Sequence, residues 1–322
     1  MTHSNTTAMN NEIFLHVGYL KTGSTFLQKE VFPHIKDMHY VNYNSCPDAF
    51  CDIMYSDAYH FREAQTSKEI TAACHPGKNI ISHEAFIGGD ASLDHFVNGK
   101  VIATRLSTVF PKAKVLFVVR NQYDLAISLY KQYVHLGGRK PLRNFLRYDD
   151  GSFETLTKRW LSGISIHQLD YKPAIGYYAE CFGKENVLVL PFELLKKDNH
   201  AFVQKITNWM GTEDMQFDDR HQNKGYGSRQ IATARFLNRF VRSAFNESPL
   251  IPNIRVPGIG KLDVSLVRNM LQSKLSFALL GNKKVHDEQL RKDLHAYFKE
   301  SNTLLNNEHN LQLETLCPGT YF

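Results

Sequence analysis

Residues 14–30 read FLHVGYLKTGSTFLQKE, a short apolar run followed by a glycine-bearing turn and the start of a helical pattern. Gly18 and Gly23 have the spacing of the nucleotide phosphate loop G-x-x-x-x-G-K-[ST], and Thr25 stands at its hydroxyl position. Ser24 occupies the lysine slot, and Lys21 sits inside the loop instead. The setting still predicts an anion cradle: residues 13–17 read as a buried strand and residues 25–34 as a helix. Glycines permit the tight turn, and a helix N-terminus offers N–H groups and a partial positive charge to an anion. A lysine moved away from the place that reaches a terminal phosphate argues against a triphosphate ligand.

Working outward, no apolar run approaches the roughly 18 residues that cross a bilayer, and the opening MTHSNTTAMNNE lacks the basic and apolar stretches of a targeting signal. These features predict a cytoplasmic protein with a disordered tail at residues 1–11 and one domain over residues 12–322. Within that domain an α/β core is expected at 12–197 and a mainly helical portion at 198–322. Cys46, Cys51, Cys74, Cys181 and Cys317 form no C-x-x-C pair and are odd in number, which argues against a disulfide framework and a zinc site. The net charge of +6 favours anionic partners.

Short apolar runs at 13–17, 38–42, 79–82, 114–119 and 186–190 predict strands of a parallel sheet covered on both faces. Helical patterns fall between them, at 25–34, 61–73, 96–110, 123–136, 153–161 and 174–182. Strands alternating with helices give a three-layer α/β fold, in which ligands sit at the carboxyl ends of the strands. Beyond residue 197 the strand signal stops, and 201–210, 228–243, 262–280 and 287–300 read as helices.

The run KVLFVVRNQYDLAISLYKQY, residues 114–133, separates the readings. A nucleoside-triphosphate hydrolase is expected to end such a strand in an acid that helps hold magnesium. This strand ends in Arg120, with Ser128 eight residues later on the following helix. The two stretches together resemble the sulfotransferase family, whose donor is 3′-phosphoadenosine 5′-phosphosulfate. The resemblance implies a P-loop-like fold with a central parallel sheet and no metal. It places Lys21 on the bridging oxygen of the donor, Thr22, Gly23, Ser24 and Thr25 on its 5′-phosphate, and Arg120 with Ser128 on its 3′-phosphate. Phe26 and Phe192, the latter in VLPFELLKKD, match positions beside the adenine. In RHQNKGYGSRQ, residues 220–230, Asn223, Lys224 and Gly225 are the candidates for the segment that closes over the 3′-phosphate, although the usual arginine before the lysine is absent.

The same resemblance places the catalytic base in NIISHEAF, residues 79–86, where Glu84 fits the bacterial form and His83 the cytosolic one. Alternation along a strand aims these neighbours in opposite directions. The expected activity is transfer of a sulfuryl group to the hydroxyl or amine of a glycan, glycolipid or small metabolite, with no nucleic-acid partner. Residues 252–284 interleave six Lys or Arg with apolar residues, a pattern suited to packing on the sheet domain or to contact with an anionic membrane. Two rivals stay open: a P-loop kinase, which lacks its lysine at position 24, and a nucleotide-binding module of the same fold without turnover.

Overall fold

Strands of this chain are rich in Ile, Val, Leu and Phe on both faces, and such strands hold a parallel sheet only when helices cover each side. The computed structural model describes residues 11–89, 97–154, 163–217, 226–249, 255–256, 260–261, 263–281 and 283–321. In it β1 (Glu12–His16), β2 (Met38–Val41), β3 (Lys78–Ser82), β4 (Lys114–Val119) and β5 (Val187–Pro191) form one sheet in the order β2-β3-β1-β4-β5. All four pairings are parallel, so every strand ends on the same edge. Register sets His16, the last residue of β1, opposite Ser82, the last of β3.

Alternation then sorts the side chains. Phe14, Ile80, Leu116, Val118 and Leu190 enter one buried cluster with Leu27, Val31 and Phe32, and with Phe202, Val203 and Ile206 of the helix Asn199–Met210. On the residues between, Phe117 meets Tyr178 of the helix Tyr171–Phe182 edge-on at 5.0 Å. The sheet is thus the middle of three layers.

The described residues gather into two compact units. The sheet unit takes in the described residues of 11–121, 170–217 and 298–321; the second comprises those of 122–169 and 226–297. The second is mostly helical, built from Gln122–His135, Ser228–Leu237, Val264–Leu271, Lys274–Leu280 and the first part of the long helix Glu288–His309. Inside it Arg143 clasps Asp287 through Nε at 2.8 Å and Nη2 at 3.1 Å, and Asn238 Nδ2 donates to the carbonyls of Val134 and Gly138.

All five expected strands form, within a residue at their ends. The helices depart further. Residues 25–34 are not one α-helix: Ser24–Phe26 is α, Leu27–Val31 is π, with Phe32 N–H bonding the Leu27 carbonyl, and Phe32–His34 is 3-10. Residues 262–280 split into two helices at Gln272–Ser273, and 228–243 stops at Leu237. The helix expected at 153–161 begins instead in a strand, because Ser152–Phe153 pairs with Tyr148–Asp149 as an antiparallel hairpin; residues 155–162 lie outside the described set. A helix at Pro47–Tyr55 was not anticipated. Its last carbonyls are held by the buried Arg105 guanidinium, which donates to Ile53 O at 2.9 Å and Ser56 O at 2.8 Å.

Candidate functional site

The phosphate loop leaves β1 at His16 and turns into the helix at Ser24. Two positions in it adopt left-handed backbone, Lys21 at φ 69° and Gly23 at φ 98°. At Gly23 a side chain would be strained twice, by that φ and because an added Cβ would lie 2.7 Å from Leu195 Cδ2. Lys21 carries its strain with a full side chain, and that side chain is exposed. Thr22 is buried, its hydroxyl donating to Tyr19 O at 2.5 Å to close the turn. Ser24 is buried as well, and its Oγ has no hydrogen-bond partner. An orphaned buried hydroxyl is an uncommon expense in a folded chain, and an anion in the loop would supply its acceptor. Thr25 is exposed and Phe26 half-buried, its ring edge-on to Phe217 at 5.4 Å.

Arg120 follows β4 on the same edge. Its Nη1 donates to the Lys21 carbonyl at 2.8 Å, so the two stretches that carried the sequence argument meet. Phe192, at the start of the helix after β5, lies under the guanidinium at 4.9 Å and stacks close to Gly23. The backbone beneath Arg120 is clamped. Tyr171 Oη donates to Arg120 O at 2.5 Å and receives its N–H at 3.3 Å, while Glu193 accepts from Asn121 N–H at 3.0 Å and from Tyr321 Oη at 2.6 Å. Burial holds the Tyr171 phenol far above its ordinary range, so it stays protonated and able to donate. Ser128 is half-buried on Gln122–His135, in the second unit. Asn223, Lys224 and Gly225 lie outside the described residues.

His83 and Glu84 part company. His83 caps the 3-10 turn Glu84–Ile87, its Nδ1 accepting from Ala85 N–H at 3.1 Å, and its ring lies 5.9 Å from Phe50 and 5.7 Å from Phe86. Burial lowers its pKa, against the opposing pull of the Glu84 charge. Glu84 Oε2 instead accepts from Gln28 Nε2 at 3.0 Å, and Gln28 Nε2 also reaches Ser82 Oγ at 3.1 Å. Ser82 Oγ pairs with His16 Nδ1 at 2.7 Å. The Tyr40 phenol, pushed up to about 12 by burial and then by the Glu84 charge, bonds Ser82 as well.

Neither His16 nor Gln28 was singled out from sequence, though both carried a signal. His16 is a polar residue in a strand buried on both faces, and Gln28 heads the stripe Gln28, Val31, Phe32, Ile35 that packs toward the sheet.

Burial brings the His16 pKa down to about 4, with Glu84 pulling the other way and His83 adding to the drop. The sign follows from linkage: the unfolded chain, at 6.5, takes up a proton that the folded chain refuses. Stability is therefore full above the unfolded value and lost as pH falls from 6.5 toward 4, by roughly 3 kcal/mol for this group. Urea unfolding of His16→Asn against pH should show a correspondingly flatter slope in that window than the parent protein.

Among the described residues, no group of three or more His, Cys, Asp or Glu is placed to hold a metal ion, and no helix is long and apolar enough to cross a membrane. Of residues 252–284, positions 252–254, 257–259, 262 and 282 lie outside the description; Val264–Leu271 buries Val267 and Leu271 and exposes Met270.

Comparison with known proteins agrees with this fold. Cytosolic sulfotransferase 1 of Danio rerio is 28% identical over 123 residues, 35% of this chain and 38% of that relative, so the chain spans well under half of its length. The crystal structure of a sulfotransferase from Alicyclobacillus acidocaldarius aligns at a TM-score of 0.53 and 15% identity, covering 94% of this chain and 97% of its own, a likeness of fold. Mouse sulfotransferase SULT7A1, solved in complex with PAP, aligns at 0.40 and 16% identity over 92% of this chain and 85% of its own. The sulfotransferase domain family matches residues 11–224, a span that holds the loop after β1, all five sheet strands and the arginine after β4. By that match the chain belongs to the sulfotransferase family.

Proposed function

We propose that this protein moves a sulfuryl group from 3′-phosphoadenosine 5′-phosphosulfate to an acceptor hydroxyl or amine, with Glu84 as the base. The observation that carries the reading is the bond from Arg120 to the Lys21 carbonyl, which sets one cation beside the loop and a second within it. A donor with one anionic group at the 5′ end and another at the 3′ position matches two such cations.

The orphaned Ser24 hydroxyl and the left-handed turn at Gly23 suit a loop that wraps a 5′-phosphate. Thr22 and Thr25 complete that loop, and Arg120 takes the 3′-phosphate. The share of Ser128 in it rests on its spacing from Arg120 alone. Phe26 and Phe192 flank the loop as the aromatic surfaces for the base of the nucleotide. When bound, the donor supplies the sulfuryl group and leaves as adenosine 3′,5′-bisphosphate. Glu84 takes the acceptor's proton as the acceptor oxygen bonds to sulfur and the bridging S–O bond breaks. Lys21 meets the charge left on the departing phosphate. Positioning and electrostatics supply most of the rate in such loose displacements.

A glycan, glycolipid or small hydroxylated metabolite is the acceptor class this reading carries. It includes a cytoplasmic setting, one working domain over residues 12–322, and contact of the second unit with an anionic membrane through exposed Met270 and Leu279. The Arg120 assignment has a direct test. A charge-assisted contact to phosphate is typically worth ~1.5–3 kcal/mol, so Arg120→Ala should weaken adenosine 3′,5′-bisphosphate roughly ten- to a hundredfold and leave AMP nearly unchanged. Calorimetry without magnesium reads both. Equal affinity of the parent protein for AMP and the bisphosphate would remove the role given to Arg120.

A further inference from the structure

We propose that Gln28 is the positioning residue for Glu84, joining the base to the helix that carries the phosphate loop. The inference rests on the reading of Glu84 as the base. Its ground is the fan of bonds from a single side-chain nitrogen: Gln28 Nε2 lies 3.0 Å from Glu84 Oε2 and 3.1 Å from Ser82 Oγ. An ionised carboxylate only accepts, so the amide must turn its nitrogen to Glu84, and its two N–H groups match the two partners. Ser82 Oγ in turn pairs with His16 Nδ1 at 2.7 Å.

The two ends of this chain of bonds are set by different parts of the fold. His16 and Ser82 are the paired last residues of β1 and β3, both buried, and they form a fixed floor. Above it the loop passes so closely that a Cβ on Gly18 would sit 3.1 Å from His16 Nε2. Gln28 stands on the π turn Leu27–Val31, three residues beyond Thr25. A π turn adds a residue to the helical ring and re-aims the side chains around it, and such turns recur at functional sites. One oxygen of Glu84 is thereby engaged, leaving the other for the acceptor proton. The base is held in register with the loop rather than by the loop after β3 alone.

The role predicts a loss in turnover without a loss in donor binding. Misplacing a catalytic group by about 1 Å can cost 10²-fold, so Gln28→Met, which keeps length and removes both donors, should lower kcat roughly ten- to a hundredfold. The assay is release of radiolabelled sulfate from the donor to water, which needs no identified acceptor. Donor KM and bisphosphate affinity should stay within about threefold, and Glu84→Gln combined with Gln28→Met should be no slower than Glu84→Gln alone, the non-additivity of groups acting as a unit. A second readout needs no turnover: in ligand-free protein labelled at glutamine side-chain nitrogen, Glu84→Ala should shift one Gln28 amide proton and speed its exchange. Should Gln28→Met fail to fold, Gln28→Glu, which keeps shape but opposes a second acceptor to Glu84, replaces it with the same expected loss.

The possible failures are distinct. Normal turnover in both Gln28 variants, with Glu84→Gln inactive, overturns the positioning role and leaves the base standing. Additive losses, or a fall in bisphosphate affinity matching the fall in kcat, would mean that Gln28 serves the donor loop and not Glu84. An active Glu84→Gln removes the base reading and this proposal with it.

Discussion

Glu84→Gln should reduce sulfuryl transfer by about 10²–10⁴, the usual worth of proton removal by a positioned group, while adenosine 3′,5′-bisphosphate binds within a few-fold of the parent protein. The substitution keeps the shape of the side chain and removes the proton acceptor. His83→Asn should cost far less. The reason lies in where each side chain is spent: the His83 Nδ1 lone pair caps Ala85 N–H, and its ring is set among Tyr43, Phe50 and Phe86. Glu84 is reached by Gln28 from the loop helix, and its charge acts on His16 and Tyr40 beneath. Asn can still accept from Ala85 N–H, so the cap should survive in His83→Asn; His83→Ala, which removes it, should lose thermal stability on the order of 1 kcal/mol rather than turnover. An inactive His83→Asn beside a working Glu84→Gln would reverse the assignment; activity in both would move the base to another part of the chain.

Legibility in the sequence followed burial. The five strands could be read because short continuous apolar runs bounded by polar residues fit a sheet covered on both faces, and the parallel sheet then required its ligand edge. Arg120 was legible for the complementary reason: a cation directly after VLFVV has nowhere to go except that edge. Helices were harder, since the periodicity of an apolar stripe does not tell an α turn from the π turn at Leu27–Val31. Yet it is on that turn that Gln28 stands. The network His16–Ser82–Gln28–Glu84 joins residues up to 66 positions apart through strand register, and no local pattern encodes register between β1 and β3. Tyr171, which clamps the Arg120 backbone from 51 positions away, was hidden for the same reason. A tyrosine in YKPAIGYYAECF reads simply as a core residue, which it also is.

Lys21 is the place where local strain and proposed chemistry coincide. Its φ of 69° is a conformation that costs a non-glycine residue roughly 1–2 kcal/mol, and the Arg120 bond to its carbonyl helps hold it there. Strain kept at a ligand edge is commonly part of function. Lys21→Gly should therefore raise stability by about 1 kcal/mol in urea unfolding, whereas Lys21→Ala, which retains a Cβ, should not. Both should lose activity alike. If the ammonium meets charge that develops on the leaving phosphate, removing it should cost about 10²–10³ in kcat, as loss of one preorganised electrostatic donor does, and raise donor KM by much less. That division marks an interaction strongest in the transition state. Bisphosphate affinity, measured by calorimetry on the same two variants, separates the alternatives. Normal kcat with a raised KM and a matching loss of bisphosphate affinity would make Lys21 an anchor for the nucleotide, and its strained backbone would then serve only to bring the Lys21 carbonyl to Arg120.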